Sequence, residues 1–136
     1  MKNILFVCVE NSNRSQMAQA YARIFGKNKV NAYSAGSKPS GVVNPKAINA
    51  MALENYDLTV HESKGITDLP KNISFDYVVG MGCGDACPIV PTKERLEWDI
   101  PDPKSAEGDA FLKIRDVVKK NVQELIEKIN REVGKA

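Results

Sequence analysis

Ile4-Leu5-Phe6-Val7-Cys8-Val9-Glu10-Asn11-Ser12-Asn13-Arg14-Ser15 is the stretch from which both fold and chemistry can be read. Its apolar run is continuous rather than alternating, which predicts a strand buried on both faces over residues 3–9. The strand delivers a thiol to its C-terminal end. Five residues separate Cys8 from Arg14, and a helical pattern opens at Arg14-Ser15. The short polar loop between strand and helix can turn successive amides inward as an anion-binding nest. The helix N-terminus beside it favours negative charge. These parts together predict a pocket for a tetrahedral oxyanion with a sulfur nucleophile at its floor.

Each residue type in the stretch has a physical reason. Only a thiolate is a good nucleophile, and a helix N-terminus and a guanidinium both favour that form. The planar fork of Arg14 can bind two oxyanion oxygens at once, which a lysine cannot. Ser15 can hydrogen-bond the thiolate, and the Asn11 side chain can hold the loop's own backbone groups. A carboxylate at Glu10 would repel a dianion, so its side chain is expected to point outward. Alone, such a cysteine and arginine could equally be a structural thiol beside a surface charge. Their position between the first strand and a helix favours catalysis.

Cys8 through Ser15 resembles the Cys-x5-Arg-Ser loop of the low-molecular-weight protein tyrosine phosphatases and of the arsenate reductases that share their fold. Arg14-Ser15-Gln16-Met17-Ala18 extends the resemblance into the first helix, and Ser34-Ala35-Gly36, Met81-Gly82-Cys83-Gly84-Asp85 and Asp102-Pro103 extend it over nearly the whole chain. It implies an α/β fold in three layers: a central parallel sheet of about four strands with helices on both faces. It also implies that Val9, Glu10, Asn11, Ser12, Asn13 and Arg14 form the oxyanion-binding loop.

The 136 residues predict one domain over 1–136. A net charge of +2 gives no argument for nucleic acid or a membrane surface. The N-terminal apolar run is too short for a signal peptide, and no spanning segment is evident. A cytoplasmic monomer is expected. Three cysteines is an odd count that argues against a disulfide framework.

The periodicity predicts a helix over 14–26, a strand from Val30 to Ser34, and a helix from Pro45 to about Asn55 capped by Asn44. A turn and short helix follow around 57–64. Asp76 to Met81 reads as a third strand like the first, and Leu96 to Asp99 as a short fourth. The last helix, about 106–131, carries Phe111, Ile114, Val118, Leu125 and Ile129 on one stripe, its charged face solvated. Alternating strands and helices predict a parallel sheet with the ligand beyond its C-terminal strand ends. Trp98 is expected in the core or pocket wall, and His61 at the surface or as a cap.

Cys83 and Cys87 lie four positions apart after the third strand. In a helical or turn conformation their Cα atoms would be about 6 Å apart, within disulfide reach. They could also be two buried small residues. A zinc site would need more ligands, and only Cys8 and His61 remain as N/S donors, so no metal is expected. Some reductases of the resembled family bind potassium through an acidic residue in the first helix. The matching position is Gln19, and that site is not carried over.

The resemblance implies a relay. Cys8 attacks arsenate, then Cys83 or Cys87 attacks the Cys8 sulfur, arsenite departs, and the disulfide moves to Cys83–Cys87. An external thiol reductant, thioredoxin-like or of low molecular weight, restores the enzyme. No cofactor is bound in this scheme. In the thioredoxin-coupled relatives the resolving pair is spaced more widely than Cys-x3-Cys, which leaves the donor open. Asp102 is expected as the general acid, with Asp99 and Asp85 as rivals. The phosphatases typically place aromatics after Asp-Pro, whereas Lys104-Ser105 follow here, so reduction of arsenate leads and phosphomonoester hydrolysis by Cys8, Arg14 and Asp102 is the alternative. An oxyanion-binding or redox-sensing module is the non-enzymatic reading.

Overall fold

The structure is a computed structural model that describes residues 1–82 and 90–134. The elements run β1 (Lys2–Cys8), α1 (Arg14–Phe25), β2 (Val30–Gly36), α2 (Pro45–Ala52), β3 (Phe75–Met81), β4 (Thr92–Trp98) and α3 (Asp109–Gly134). Two 3-10 turns, Leu58–Val60 and Ile66–Asp68, lie between α2 and β3. The sheet order is β2-β1-β3-β4, and every pairing is parallel. The parallel α/β architecture expected from the sequence is therefore present.

β1 is apolar without interruption because it has a strand on either side and a layer above and below. Its register sets Cys8 opposite Gly36 of β2, and Val7 opposite Gly80 of β3. Ile4, Phe6 and Cys8 point into the larger core, against Met17 and Tyr21 of α1, Met51 of α2, and Val118, Val122 and Ile129 of α3. Leu5 and Val7 point the other way, against Leu69, Phe75 and Val78, with Ile66 of the second 3-10 turn packed alongside. Helical structure thus lies on both faces, but unequally among the described residues: three α-helices on one, a single 3-10 turn on the other. Each fully buried Leu, Ile or Phe contributes roughly 1.5–3 kcal/mol. A one-residue slip of β1 would exchange the two faces and carry Cys8 out of its layer.

Several boundaries differ from expectation. β4 begins at Thr92 rather than Leu96. It is the edge strand, and Lys93, Glu94, Arg95 and Glu97 on its half-exposed surface mask the strand signal. α2 stops at Ala52 because Asn55 takes a left-handed conformation (φ 61°) and its N–H bonds back to the Ala52 carbonyl at 3.0 Å. The charged face of α3 is not merely solvated. Lys119 Nζ lies 3.0 Å from Glu54 Oε1, Lys128 Nζ 2.9 Å from Glu94 Oε2, and Arg115 donates to the Ala50 carbonyl at the end of α2 (3.0 Å). These long stems cross apolar surface to reach neighbouring elements. No helix among the described residues is long and apolar enough to cross a membrane.

The C-terminal ends of β1 and β2 meet so closely that one position admits only hydrogen. A Cβ on Gly36 would stand 2.5 Å from the Val9 carbonyl oxygen and 2.9 Å from the Asn11 nitrogen. Both are backbone atoms of the loop after Cys8 and cannot swing aside. Gly36→Ala is therefore expected to cost about 1–3 kcal/mol in urea unfolding. It is also expected to weaken phosphate binding, read by calorimetric titration, because the strain falls on the loop itself.

Candidate active site

The loop from Val9 to Asn13 is shaped by where its carbonyls go. The carbonyls of Cys8, Val9, Glu10 and Ser12 accept from the N–H groups of Ser37 (3.1 Å), Lys38 (2.8 Å), Ser40 (3.0 Å) and Asn44 (3.1 Å). The Asn11 carbonyl accepts from Gln16 Nε2 (3.0 Å), and that of Asn13 from the Met17 N–H (2.9 Å). The loop's acceptors are thus taken up on its outer side. The N–H groups of Glu10, Ser12, Asn13 and Arg14 have no backbone acceptor among the described residues. Donors left over around a concave turn at a helix start form an anion site.

Asn11 holds the turn together. It adopts φ 51°, a left-handed conformation that asparagine tolerates better than most residues. Its Oδ1 accepts from Gln16 Nε2 (2.9 Å) and the Lys64 N–H (2.9 Å), and its Nδ2 donates to Ser15 Oγ (2.8 Å). Ser15 Oγ in turn lies 2.8 Å from Cys8 Sγ. With one Ser15 lone pair engaged by Asn11, its own O–H is placed to donate to a Cys8 thiolate. Cys8 is almost fully buried, 3 % exposed, so this hydroxyl and the amide ring are the groups that would hold its charge.

Arg14 is buried and clamped. Its Nη1 donates to the Ile100 carbonyl (3.0 Å), and its Nη2 lies 3.9 Å from Asp102 Oδ2. Behind it sits Gly82 at φ 76°, where a Cβ would collide with Nη1. Cys8, Ser12, Asn13, Arg14 and Asp102 line one cavity of about 300 Å³. Val9 and Glu10 line it as well, whereas Asn11 and Ser15 stand behind the loop as supports. Lys38 and Lys104 are on the same rim, and the sequence reading did not assign Lys38. The Glu10 carboxylate lies 3.1 Å from Nζ of the exposed Lys104. Asp99 is exposed and is not part of the lining. Trp98 packs on the core, its ring 6.0 Å from that of Phe6. Cys83, Cys87 and Asp85 lie outside the described residues.

His61 is a cap, one of its two expected roles, and not a surface residue: its N–H bonds the Leu58 carbonyl at the end of the first 3-10 turn (3.0 Å). It is 8 % exposed, and its Nδ1 faces Gln16 Oε1 at 2.9 Å. An amide oxygen is only an acceptor, so the proton belongs on Nδ1, and Nε2 accepts from Tyr56 Oη (2.6 Å) and Arg23 Nη1 (3.1 Å). Burial first, then the positive charges of Arg23 and Lys64, lower its pKa from 6.5 to about 4. A neutral His61 thereby fixes Gln16, which fixes Asn11. Gln19 uses its amide on β2, donating to the Ala32 carbonyl (3.1 Å) and accepting from Ser34 Oγ (2.6 Å).

The low-molecular-weight phosphotyrosine protein phosphatase model matches residues 3–135. An arsenate reductase of Bacillus cereus (strain G9842) is 38% identical over 130 residues, 93% of this chain and 95% of that protein. One from Staphylococcus xylosus is 41% identical over 122 residues, 87% and 91% of the two chains. A solved arsenate reductase in its phosphate-binding state superposes with a TM-score of 0.84 at 33% identity, covering 95% of this chain and 99% of that one. A thioredoxin-dependent arsenate reductase of Corynebacterium glutamicum gives 0.80 at 28% identity, over 97% of this chain and 63% of that one.

The buried imidazole has a pH consequence. Its folded pKa lies below the unfolded value of 6.5, so between pH 6.5 and about 4 the unfolded chain takes up a proton that the folded one refuses. Stability therefore falls as pH drops through that window, on the order of 2 kcal/mol from this group. In urea unfolding at a series of pH values, His61→Gln is expected to flatten that part of the profile.

Proposed function

The chain belongs to the low-molecular-weight phosphotyrosine protein phosphatase family, and from that premise we propose that it is an arsenate reductase working through a cysteine relay. The observation that carries the reading is the buried Cys8 thiol, held by Ser15 at the floor of an inward-facing amide loop. Arsenate reductases at 38% and 41% identity over most of the chain favour reduction over ester hydrolysis.

Arsenate enters as a dianion and is held by the loop amides and Arg14. The Cys8 thiolate attacks arsenic, an As–S bond forms, and one As–O bond breaks. The departing hydroxide takes a proton from Asp102 and leaves as water. A general acid in this position contributes roughly 10²–10⁴-fold in rate. Cys83 or Cys87, as a thiolate, then attacks Cys8 Sγ. The electron pair of the As–S bond stays on arsenic, which falls from As(V) to As(III) and leaves as arsenite, taking its protons from solvent. The remaining cysteine moves the disulfide to Cys83–Cys87 and frees Cys8. An external dithiol reduces that bond by exchange and is itself oxidised. A thioredoxin-like protein is the donor this reading favours, because one structural neighbour is thioredoxin-dependent. A reducing cytoplasm suits an enzyme that must begin each cycle with free thiols.

Reduced protein given one equivalent of arsenate without external reductant is expected to lose two of its three thiols and release arsenite. Cys8→Ser should abolish both changes. Replacing Cys83 and Cys87 with Ala should stop arsenate turnover while slow aryl-phosphate hydrolysis persists. Unchanged arsenate turnover in that double variant would instead place the electrons with an external thiol acting directly at Cys8.

A further inference from the structure

A carboxylate inside an anion-binding loop works against its ligand unless something answers its charge. Glu10 occupies such a position. Its backbone is pinned from outside, with the carbonyl accepting from the Ser40 N–H and Ser63 Oγ, both at 3.0 Å. Glu10 and Lys104 both line the cavity, and Oε1 lies 3.1 Å from Lys104 Nζ. Lys104 also donates its backbone N–H to Asp102 Oδ1 at 3.0 Å. The pair therefore bridges the nucleophile's loop and the turn that presents Asp102, across 94 positions of sequence.

Stability does not explain this pair. The Lys104 and Glu10 side chains are 68% and 36% exposed, and ion pairs so exposed add little to stability. Its place on the reaction path does. In a displacement by Cys8, the leaving oxygen departs in line, away from the sulfur and towards the mouth. A free oxyanion carries only a hydroxyl in that direction. A phosphate ester carries its whole organic group, which must pass Asp102 and the bar formed by Glu10 and Lys104.

We propose that the Glu10–Lys104 pair is a specificity element: it neutralises the loop carboxylate and narrows the mouth, so that an inorganic tetrahedral oxyanion is preferred over an organic phosphate. This rests on the proposed reductase reading for its physiological substrate, but its geometry concerns any ligand of the loop. Truncation of either partner widens the mouth and shifts the preference towards organic phosphates.

The test compares the wild type with Glu10→Ala, Lys104→Ala and the double variant. Affinities for phosphate and for phenyl phosphate are measured by calorimetry, alongside kcat/KM for arsenate and for p-nitrophenyl phosphate. Each single variant is expected to shift the preference towards the organic phosphate by about tenfold, in affinity and in kcat/KM. The double variant should do no more than the larger single, since both remove one pair. Ratios that stay within about twofold of wild type, or equal shifts for the two ligands, would overturn the proposal and leave a simple charge effect. If the wild type binds phosphate but forms no arsenite, the reductase reading fails, while the phosphate to phenyl phosphate ratio still decides the specificity element.

Discussion

The site depends on a hydrogen-bond assignment made outside it. Carbonyls of Cys8, Val9, Glu10 and Ser12 accept from the amides of the 37–44 segment, a stretch with little regular structure of its own. A peptide unit whose C=O is fixed outward has its N–H turned the other way. The inward donors are thus a consequence of the outward acceptors. Gly36 permits the approach at the strand end, and Asn11 supplies the one left-handed residue that the turn requires. Rigid donors of this kind need little reorganisation when charge develops before them, which is the largest source of stabilisation in oxyanion sites.

Behind the loop, polar side chains replace the apolar packing found elsewhere in the molecule. Tyr56, His61, Gln16, Asn11 and Ser15 form a continuous run of hydrogen bonds ending at Cys8. Each is an expensive group to bury unpaired, and each finds a partner. His61 is kept neutral by burial and by the cations near it. A charged imidazole would need acceptors on both nitrogens, whereas Nε2 faces a tyrosine hydroxyl and a guanidinium. The run fixes orientation, so the donor direction reaching Cys8 is set several residues away.

Much of this was legible in the sequence, for physical reasons that differ by element. β1 announced itself because a central strand is buried on both faces, and its apolar run has no other economical explanation. The Cys8–Arg14 spacing was legible because loop and helix start are contiguous in the chain. Asn44 read correctly as a cap, since its Oδ1 accepts from Lys46 N at 2.9 Å. β4 was half hidden because an edge strand carries charge on its exposed surface. His61 caps a 3-10 turn, as one of its two readings had it, but its burial was hidden because its side-chain partners, Gln16 and Arg23, lie 45 and 38 positions away. The cation that answers Glu10 was hidden for the same reason: Lys104 lies 94 positions away.

The strand order also sets a timetable for assembly. β1 is made first, yet it sits between β2 and β3, and the Arg14 fork is held by the Ile100 carbonyl, 86 positions downstream. Contacts of such sequence separation carry a large loop-closure cost and form late. During vectorial synthesis the cysteine therefore emerges long before the pocket that shelters it can close. The burial that leaves the Cys8 thiol 3 % exposed is thus a property of the finished fold and not of the chain as it emerges.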